Sequence, residues 1–275
     1  MSLEQTIADL VAASNNLTGT INSKMNEIDQ KVDEATESVP SAIRSKSLQT
    51  FYVDSIVGND NNPGTESQPV KTWKNGVAPK VIGAFGTEVF FKEDQAHIIE
   101  RPHNFLIIGA IEIMRWGEAT ANRPTLKLDF IINNEERAVG SAFILRGGNC
   151  RIQGCSIEVI NDTGREVLEG QGFIQRAPGS NTIALDDTKI IVKNAPFAHT
   201  YGGFSGVTLI IRSVEVTKHL ESDSFGRFIS TGNISAGHTV RLDASSLSFV
   251  NTDIREQLSI KADNSNILTN ITLPA

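Results

Sequence analysis

The chain has 275 residues, 39% of them hydrophobic, so it is long enough to form one large or two medium domains around a core. Its net charge of −7, without any basic run, argues against a nucleic-acid-binding surface and against a surface for anionic membranes. The longest apolar runs are far shorter than the roughly 20 residues that a spanning helix needs, so no membrane insertion is expected. The first residues lack the basic segment and apolar core of a secretion signal, which predicts synthesis in a cytoplasm.

The N-terminal residues 1–39 are predicted to form an amphipathic helix with a coiled-coil seam. Apolar residues recur at alternating steps of four and three, and two successive steps of four form a stutter that unwinds a supercoil locally. So narrow an apolar stripe is best buried against copies of itself, and the repetitive segment that follows favours three copies. The alternative is a single helix packed on its own domain. The predicted oligomerisation residues are Leu3, Ile7, Leu10, Leu17, Ile21, Met25, Ile28 and Val32.

Pro40 is expected to stop this helix, with a polar linker at 40–50. An entry strand is predicted from Phe51, followed by a loop of turn residues and a short helix that begins near Pro69. Because Trp73 is the largest apolar surface of this helix, we expect 51–80 to cap one end of a repetitive domain at 81–275.

Specific turn residues in this entry segment support a resemblance. They are Tyr52-Val-Asp54, Gly58-Asn-Asp60, Asn62-Pro-Gly64-Thr65, Pro69 and Thr72. This pattern resembles the entry segment of pectin-lyase-like right-handed β-helices, including those of tailed-bacteriophage tail fibres and tailspikes, and the opening of the chain is similar to the start of phage tail-fibre proteins. Together these cover about the first 77 residues. The resemblance implies a homotrimer that is attached to the phage tail or baseplate by its N-terminus.

Four copies of one apolar pattern occupy the second half of the chain. Apolar residues at positions 0, 2, 7 and 9 begin at Cys150, Ile183, Val207 and Val240. Since side chains alternate along a strand, each copy predicts two short strands joined by a four-residue corner, and stacking the copies buries their apolar faces. The predicted fold is mainly β, a right-handed parallel β-helix preceded by an α-helical coiled coil and trimeric. A β-sandwich is the alternative. A phenylalanine precedes each copy, at Phe143, Phe173, Phe197 and Phe228.

The two cysteines, Cys150 and Cys155, are expected to be reduced, with Cys150 in the core. No companion Cys or His pair has the spacing of a zinc site, and no motif indicates a cofactor, so neither a metal nor a cofactor is predicted.

Two pairs of carboxylates coincide in the repeated pattern and could be catalytic. Asp186 and Asp243 share the same offset in the second and fourth copies, which would place them about 10 Å apart, near the upper end of an inverting glycosidase's carboxylate separation. Glu158 and Glu215 coincide in a similar way. Acidic residues are common at such positions because those positions face water, so no catalytic residue is assigned and Asp186 and Asp243 stay weak candidates.

A second set of residues could bind a sugar. His199, Tyr201 and Phe204 place rings between glycines, where they could stack on a pyranose. The competing interpretation is that Phe197 and Phe204 fill the core at a turn, which we favour because aromatic rings are most often buried.

These observations predict a structural and adhesive phage tail fibre or short tailspike that is not an enzyme. Its N-terminus would dock to a tail or baseplate protein and its β-helix would bind a host-surface glycan or protein, in a virion made in the host cytoplasm. One alternative is a polysaccharide depolymerase, either glycosidase or lyase, on the same scaffold. Another is an adaptor that holds a second fibre.

Overall fold

The computed structural model describes residues 2–81, 85–101, 106–107, 109–118, 121–145, 148–168, 170–176, 181–200, 206–223, 225–231, 239–261 and 263–273. The chain divides into two compact units, Met1–Ser47 and Leu48–Ala275. None of the described helices is long and apolar enough to cross a membrane.

The first unit is one helix, α1, which spans Leu3–Ser47. It runs through Pro40, where the sequence predicted a stop, and covers most of the span predicted as a linker. The apolar stripe of α1 faces solvent, each of its side chains being 49% to 77% exposed. The stripe residues are Leu3, Ile7, Leu10, Leu17, Ile21, Met25, Ile28 and Val32.

The second unit is built from short strands, with two short helical segments between them. A five-residue π-helix spans Trp73–Val77 and a short helix, α2, spans Ile254–Gln257. The first nine strands are β1 (Leu48–Val53), β2 (Gly86–Lys92), β3 (Ala96–Ile99), β4 (Leu106–Ile107), β5 (Ala110–Trp116), β6 (Thr125–Leu128), β7 (Ile131–Ile132), β8 (Ala138–Val139) and β9 (Ser141–Leu145). The others are β10 (Asn149–Gln153), β11 (Ser156–Ile160), β12 (Gly172–Arg176), β13 (Asn181–Lys193), β14 (Ala198–Thr200), β15 (Gly206–Lys218), β16 (Ile229–Thr231), β17 (Thr239–Ala244), β18 (Leu247–Val250) and β19 (Ile267–Thr269).

Parallel pairing joins most of the described strands into two sheets. The larger has twelve strands, in the order β1-β2-β5-β10-β13-β11-β6-β3, and β15 on the other side of β13 connects to β17, β18 and β19. The second has five strands, in the order β16-β14-β12-β9-β4. Only β7 and β8 pair antiparallel among the described strands. The apolar side chains of both sheets point to one shared core cluster.

The larger sheet curls because two of its strands bend without breaking. β13 and β15 run without interruption through the segments that the sequence predicted as four-residue corners. Each contains one residue with positive φ, Asp187 at 48° and Ser213 at 53°, where the strand changes direction. Both halves of each long strand therefore belong to the same sheet.

The predicted fold class is corrected by this arrangement. The structure is a mixed α/β fold, with one N-terminal helix and a curled parallel sheet. It does not have the predicted class of a right-handed parallel β-helix preceded by a coiled coil, because the strands expected to flank corners are continuous in β13 and β15.

The alignment of the four sequence copies also needs correction. Ile183 pairs with Leu209 rather than with Val207, although Cys150 pairs with Ile183 and Val207 pairs with Val240 as aligned. The third copy is therefore two residues out of register with the second. All five of these side chains are still buried, because a shift of two residues keeps the same face of the strand toward the core.

A row of aromatic rings runs through the core. Trp73, on the π-helix, contacts Phe143, and the phenylalanines then follow one another at centroid distances of 5.4, 5.8 and 5.4 Å. All five rings are buried. The row, in order, is Trp73, Phe143, Phe173, Phe197 and Phe228. The phenylalanine that precedes each sequence copy is thus a core residue.

Both cysteines are free thiols, as predicted. Cys155 is as deeply buried as Cys150, and burial raises the pKa of each thiol to about 12.

Candidate functional site

The outward face of the larger sheet carries two neighbouring rows of side chains. Alternate residues of its strands point away from the core, so residues paired across neighbouring strands lie side by side on this face. The first row is Thr50, Glu88, Glu112, Arg151, Ala184, Ile210 and Asp243, on β1, β2, β5, β10, β13, β15 and β17. The second row is Tyr52, Phe90, Met114, Gln153, Asp186 and Arg212, on the same strands from β1 to β15.

Two glutamates are direct neighbours in the first row. Glu88 and Glu112 pair in register on adjacent parallel strands. Like charges placed directly opposite each other destabilise a sheet, so each carboxylate needs a compensating partner. The Thr50 hydroxyl donates to Glu88 Oε2 at 2.9 Å, and Arg151 Nη1 lies 3.7 Å from Glu112 Oε2. The side chains of Arg151 and Glu112 are 43% and 38% exposed, which leaves them accessible to a ligand.

An aromatic cluster lies beside the glutamates in the second row. Tyr52 and Phe90 stack with centroids 5.0 Å apart and an interplanar angle of 12°, and Trp116 meets Tyr52 edge-on at 5.2 Å. Lys92 Nζ lies 4.4 Å from the Trp116 ring centroid. These three rings are only partly buried. The two rows are about 6.6 Å apart, the rise of two strand residues, so Tyr52 and Phe90 border the carboxylate pair. Trp116 pairs with Lys92 and lies one row further away.

Further along the same face, a shallow depression lies over β13. It has a volume of about 240 Å³ and is lined by Arg151, Ala184, Asp186, Ile210 and Arg212. Arg151 is therefore shared between this depression and the glutamate pair.

The structure separates the two aspartates that the sequence analysis aligned. Asp186 pairs with Arg212, whereas Asp243 pairs with Ile210 in the neighbouring row. Two strand gaps and two residues along the strand put their Cα atoms about 12 Å apart, more than the expected 10 Å. Asp243 lies in a different depression, of about 430 Å³, and accepts a hydrogen bond from Asn270 at 2.9 Å.

The second aligned carboxylate pair is separated by the same shift. Glu158 pairs with Ile191, and Glu215 pairs with Lys189. Glu158 forms an ion pair with Lys127 at 2.9 Å, and Glu215 one with Lys189 at 3.7 Å.

Of the predicted sugar-stacking residues, the structure describes His199 alone. His199 is a buried residue of β14, between Gln175 and Ser230 of the neighbouring strands. Tyr201 and Phe204 lie outside the described residues. Phe197 is buried in the core, as the competing interpretation predicted.

Sequence reasoning missed Glu88 and Glu112 because their strands carry no copy of the repeated apolar pattern. The alternation Thr87, Val89, Phe91 predicts which residues of β2 are buried, and a similar alternation holds for β5. Neither alternation says that the two strands pair in this register.

Comparisons with known proteins give structural neighbours only. No protein-family model matches the chain, and no curated protein matches it. Two crystal structures of GH136 lacto-N-biosidase from Eubacterium ramulus are similar, each with 16% identity and a TM-score of 0.37. The native protein matches over 80% of this chain and 33% of its own, and the selenomethionine derivative over 94% and 38%. The chain thus spans about a third to two fifths of the length of these structures.

These comparisons correct the predicted identity and function. The two structures named above are of a glycoside hydrolase, and the predicted structural and adhesive virion protein without enzyme activity is not retained. A likeness of this size does not itself assign an activity to this chain, so its function has to be argued from the outward face of the sheet.

Proposed function

We propose that the chain hydrolyses a glycan on the outward face of its larger sheet, with Glu88 and Glu112 as the two catalytic carboxylates. The observation that supports this most strongly is their register: two glutamates lie side by side on adjacent strands, next to an aromatic cluster. Glycoside hydrolysis needs a pair of carboxylates that flank the scissile bond, and it was the alternative function in the sequence analysis.

The spacing of the two strands favours a retaining mechanism. Neighbouring strands lie about 4.8 Å apart, and side chains that leave the sheet in parallel keep roughly that spacing. Retaining glycosidases hold their carboxyl groups about 5–5.5 Å apart, whereas inverting enzymes hold them about 6.5–9.5 Å apart to admit a water molecule. The separation of Glu88 and Glu112 therefore fits direct attack by one carboxylate.

The neighbours of each glutamate suggest its role. Glu112 has the Arg151 guanidinium beside it, which stabilises its negative charge, so Glu112 is the nucleophile. Glu88 is oriented by the Thr50 hydroxyl and is the general acid and base. Glu112 forms a bond to the anomeric carbon while the glycosidic C–O bond breaks and Glu88 gives its proton to the leaving oxygen. Glu88 then takes a proton from water, whose oxygen displaces Glu112 and releases the sugar.

The aromatic cluster would position the sugar. Partly exposed rings of Tyr52 and Phe90, one row away from the glutamates, and of Trp116, two rows away, offer apolar surface to the face of a pyranose. Residues held on strands are positioned more rigidly than residues on loops, so the sheet would hold rings and carboxylates at fixed separations.

The test is to incubate the purified chain with a panel of oligosaccharides and polysaccharides and to measure new reducing ends. Glu112→Gln and Glu88→Gln should each lower the rate by about 100-fold or more, since general acid–base catalysis alone contributes about 10²–10⁴. Glu215→Gln is the matched control, because Glu215 is also a strand glutamate with an ion pair on an adjacent strand. If both single variants hydrolysed glycans as fast as the native chain, or if the native chain hydrolysed no glycan, the proposal would be overturned. Products with ultraviolet absorbance from a new double bond would indicate a lyase instead.

We also propose that α1 associates with copies of itself through its exposed stripe. Eight apolar side chains, at steps of three or four except across Ser14, line one side of a 45-residue helix and offer a surface that water solvates poorly. A second copy carries the same stripe and would bury it. The other predicted partners and the predicted localisation stay predictions.

A further inference from the structure

We infer that the depression over β13 binds an acidic group of the glycan, a carboxylate or a sulfate, between Arg151 and Arg212. This inference rests on the proposed function and names the class of glycan that the site prefers. The lining of the depression begins at Arg151, one strand beyond Glu112 in the first row, and its floor at Ala184 is one strand further, so a sugar next to the scissile bond would reach it.

The shape of the depression comes from one small side chain. Ala184 lies between Arg151 and Ile210 in the first row, and its methyl group leaves the floor low while the longer neighbours stand on either side. Arg212 closes the depression from the second row. A carboxylate or sulfate on this floor would have a guanidinium on each side.

The charges of the residues that line the depression do not cancel one another. Arg212 pairs in register with Asp186, but among the described residues its guanidinium forms neither an ion pair nor a hydrogen bond. Arg151 has one contact to Glu112, at 3.7 Å, and a guanidinium has five N–H donors. Two arginines and one aspartate leave the lining with a net positive charge in a chain whose net charge is −7.

Guanidinium groups suit this task. They bind carboxylates and sulfate-like oxyanions through two parallel N–H···O bonds, which gives geometric specificity as well as affinity. Asp186, at the edge of the depression, would repel an acidic group placed beside its own carboxylate and so favour a position next to the arginines.

The experiment measures binding by calorimetry at two salt concentrations, so that it does not depend on turnover. The probes are an oligosaccharide with one hexuronic acid, the same oligosaccharide with its carboxyl group reduced to an alcohol, and the reduced form carrying one sulfate. The variants are Arg212→Ala, Ala184→Ile and Lys71→Ala. Lys71 follows Val70, which bridges Val53 on β1, so this control removes the same charge away from the depression.

We expect at least one acidic probe to bind the native chain more tightly than the neutral probe. Arg212→Ala should weaken that binding about tenfold or more, the loss typical of one hydrogen bond to a charged group, and leave the neutral probe unchanged. Ala184→Ile should also weaken acidic binding, because it fills the floor without changing charge. A preference for the uronate or for the sulfate identifies the acidic group.

Equal binding of acidic and neutral probes, or equal effects of Arg212→Ala and Lys71→Ala, would overturn the inference. Either result would leave the proposed hydrolysis untouched if reducing ends still appear from neutral glycans. Absence of hydrolysis together with selective loss of acidic binding in Arg212→Ala would refute the catalytic proposal alone.

Discussion

Replacing Phe173 with alanine tests whether the aromatic row holds the second unit together. Phe173 is in the middle of the row, fully buried, with ring centroids 5.4 Å from Phe143 and 5.8 Å from Phe197. Removing a buried phenylalanine costs about 3–5 kcal/mol, and each lost aromatic pair adds about 0.5–1.5 kcal/mol beyond burial. We expect the upper end of the range, because the rings on both sides are held by their own strands and cannot close the cavity.

The assay is urea unfolding followed by tryptophan fluorescence. Both tryptophans, Trp73 and Trp116, lie in the second unit, and Trp73 contacts the row directly at Phe143. A loss of this size is a large share of the roughly 5–15 kcal/mol free energy of unfolding that is typical of a domain. The urea concentration at the unfolding midpoint should therefore fall steeply, while the dependence of the unfolding free energy on urea concentration stays the same. Phe85→Ala is the control, since that ring is 82% exposed and its loss should cost less than about 0.5 kcal/mol. Equal midpoints for the two variants would refute the role of the row.

Three further predictions follow from burial and exposure. The thiols of Cys150 and Cys155, whose pKa burial raises to about 12, should not react with a disulfide reagent in the native state and should both react in urea. Burial lowers the pKa of His97 below its usual 6.5, so the unfolded chain binds the proton first and the free energy of unfolding should fall as the pH drops below 6.5. His97→Gln should flatten this pH dependence between pH 7 and 5. If urea titrations of the variant gave the same change of unfolding free energy with pH as the native chain, the prediction would be contradicted. Ile21→Lys, on the stripe of α1, should lower the mass measured by sedimentation, whereas Ser23→Lys, off the stripe, should not.

The inward faces of the strands could be predicted from the sequence, but their pairing could not. Apolar residues alternate with a period of two, so a shift of two residues keeps every buried side chain on the buried face. Ile183 meets Leu209 instead of Val207 at no cost in burial, and apolar spacing cannot distinguish the two registers. The same shift separates Asp186 from the row of Asp243, so the candidate catalytic pair was misplaced by an error that the core does not reveal.

The buried residues of the segment 51–80 could be predicted, but its helix only in part. Val70, Trp73 and Val77 are all buried, as their spacing indicated, although the π-helix begins at Trp73 rather than near Pro69 and Val70 forms a β-bridge with Val53. The polar turn residues that carried the phage resemblance have structural tasks nearby: Asp60 accepts hydrogen bonds from the backbone N–H groups of Lys71 and Thr72. Residues that stabilise a turn specify local folding and say little about what the rest of the chain binds, which is why the resemblance misled the prediction of function.

Glu88 and Glu112 are site residues that the sequence alone did not indicate. Each is an ordinary outward residue of its strand, and only the register between β2 and β5 makes them neighbours. Two glutamates far apart in sequence become a candidate site through backbone pairing, which no local motif encodes.

The most direct test of the proposed chemistry is the anomeric configuration of the first sugar released from a cleaved glycan, followed by proton NMR before mutarotation. Strand spacing at the glutamate pair predicts that the configuration is retained. Glu112→Gln should release product about 100-fold or more slowly, while Glu215→Gln behaves as the native chain. An inverted product, or unchanged release by Glu112→Gln, would contradict the assignment of Glu112 as the nucleophile.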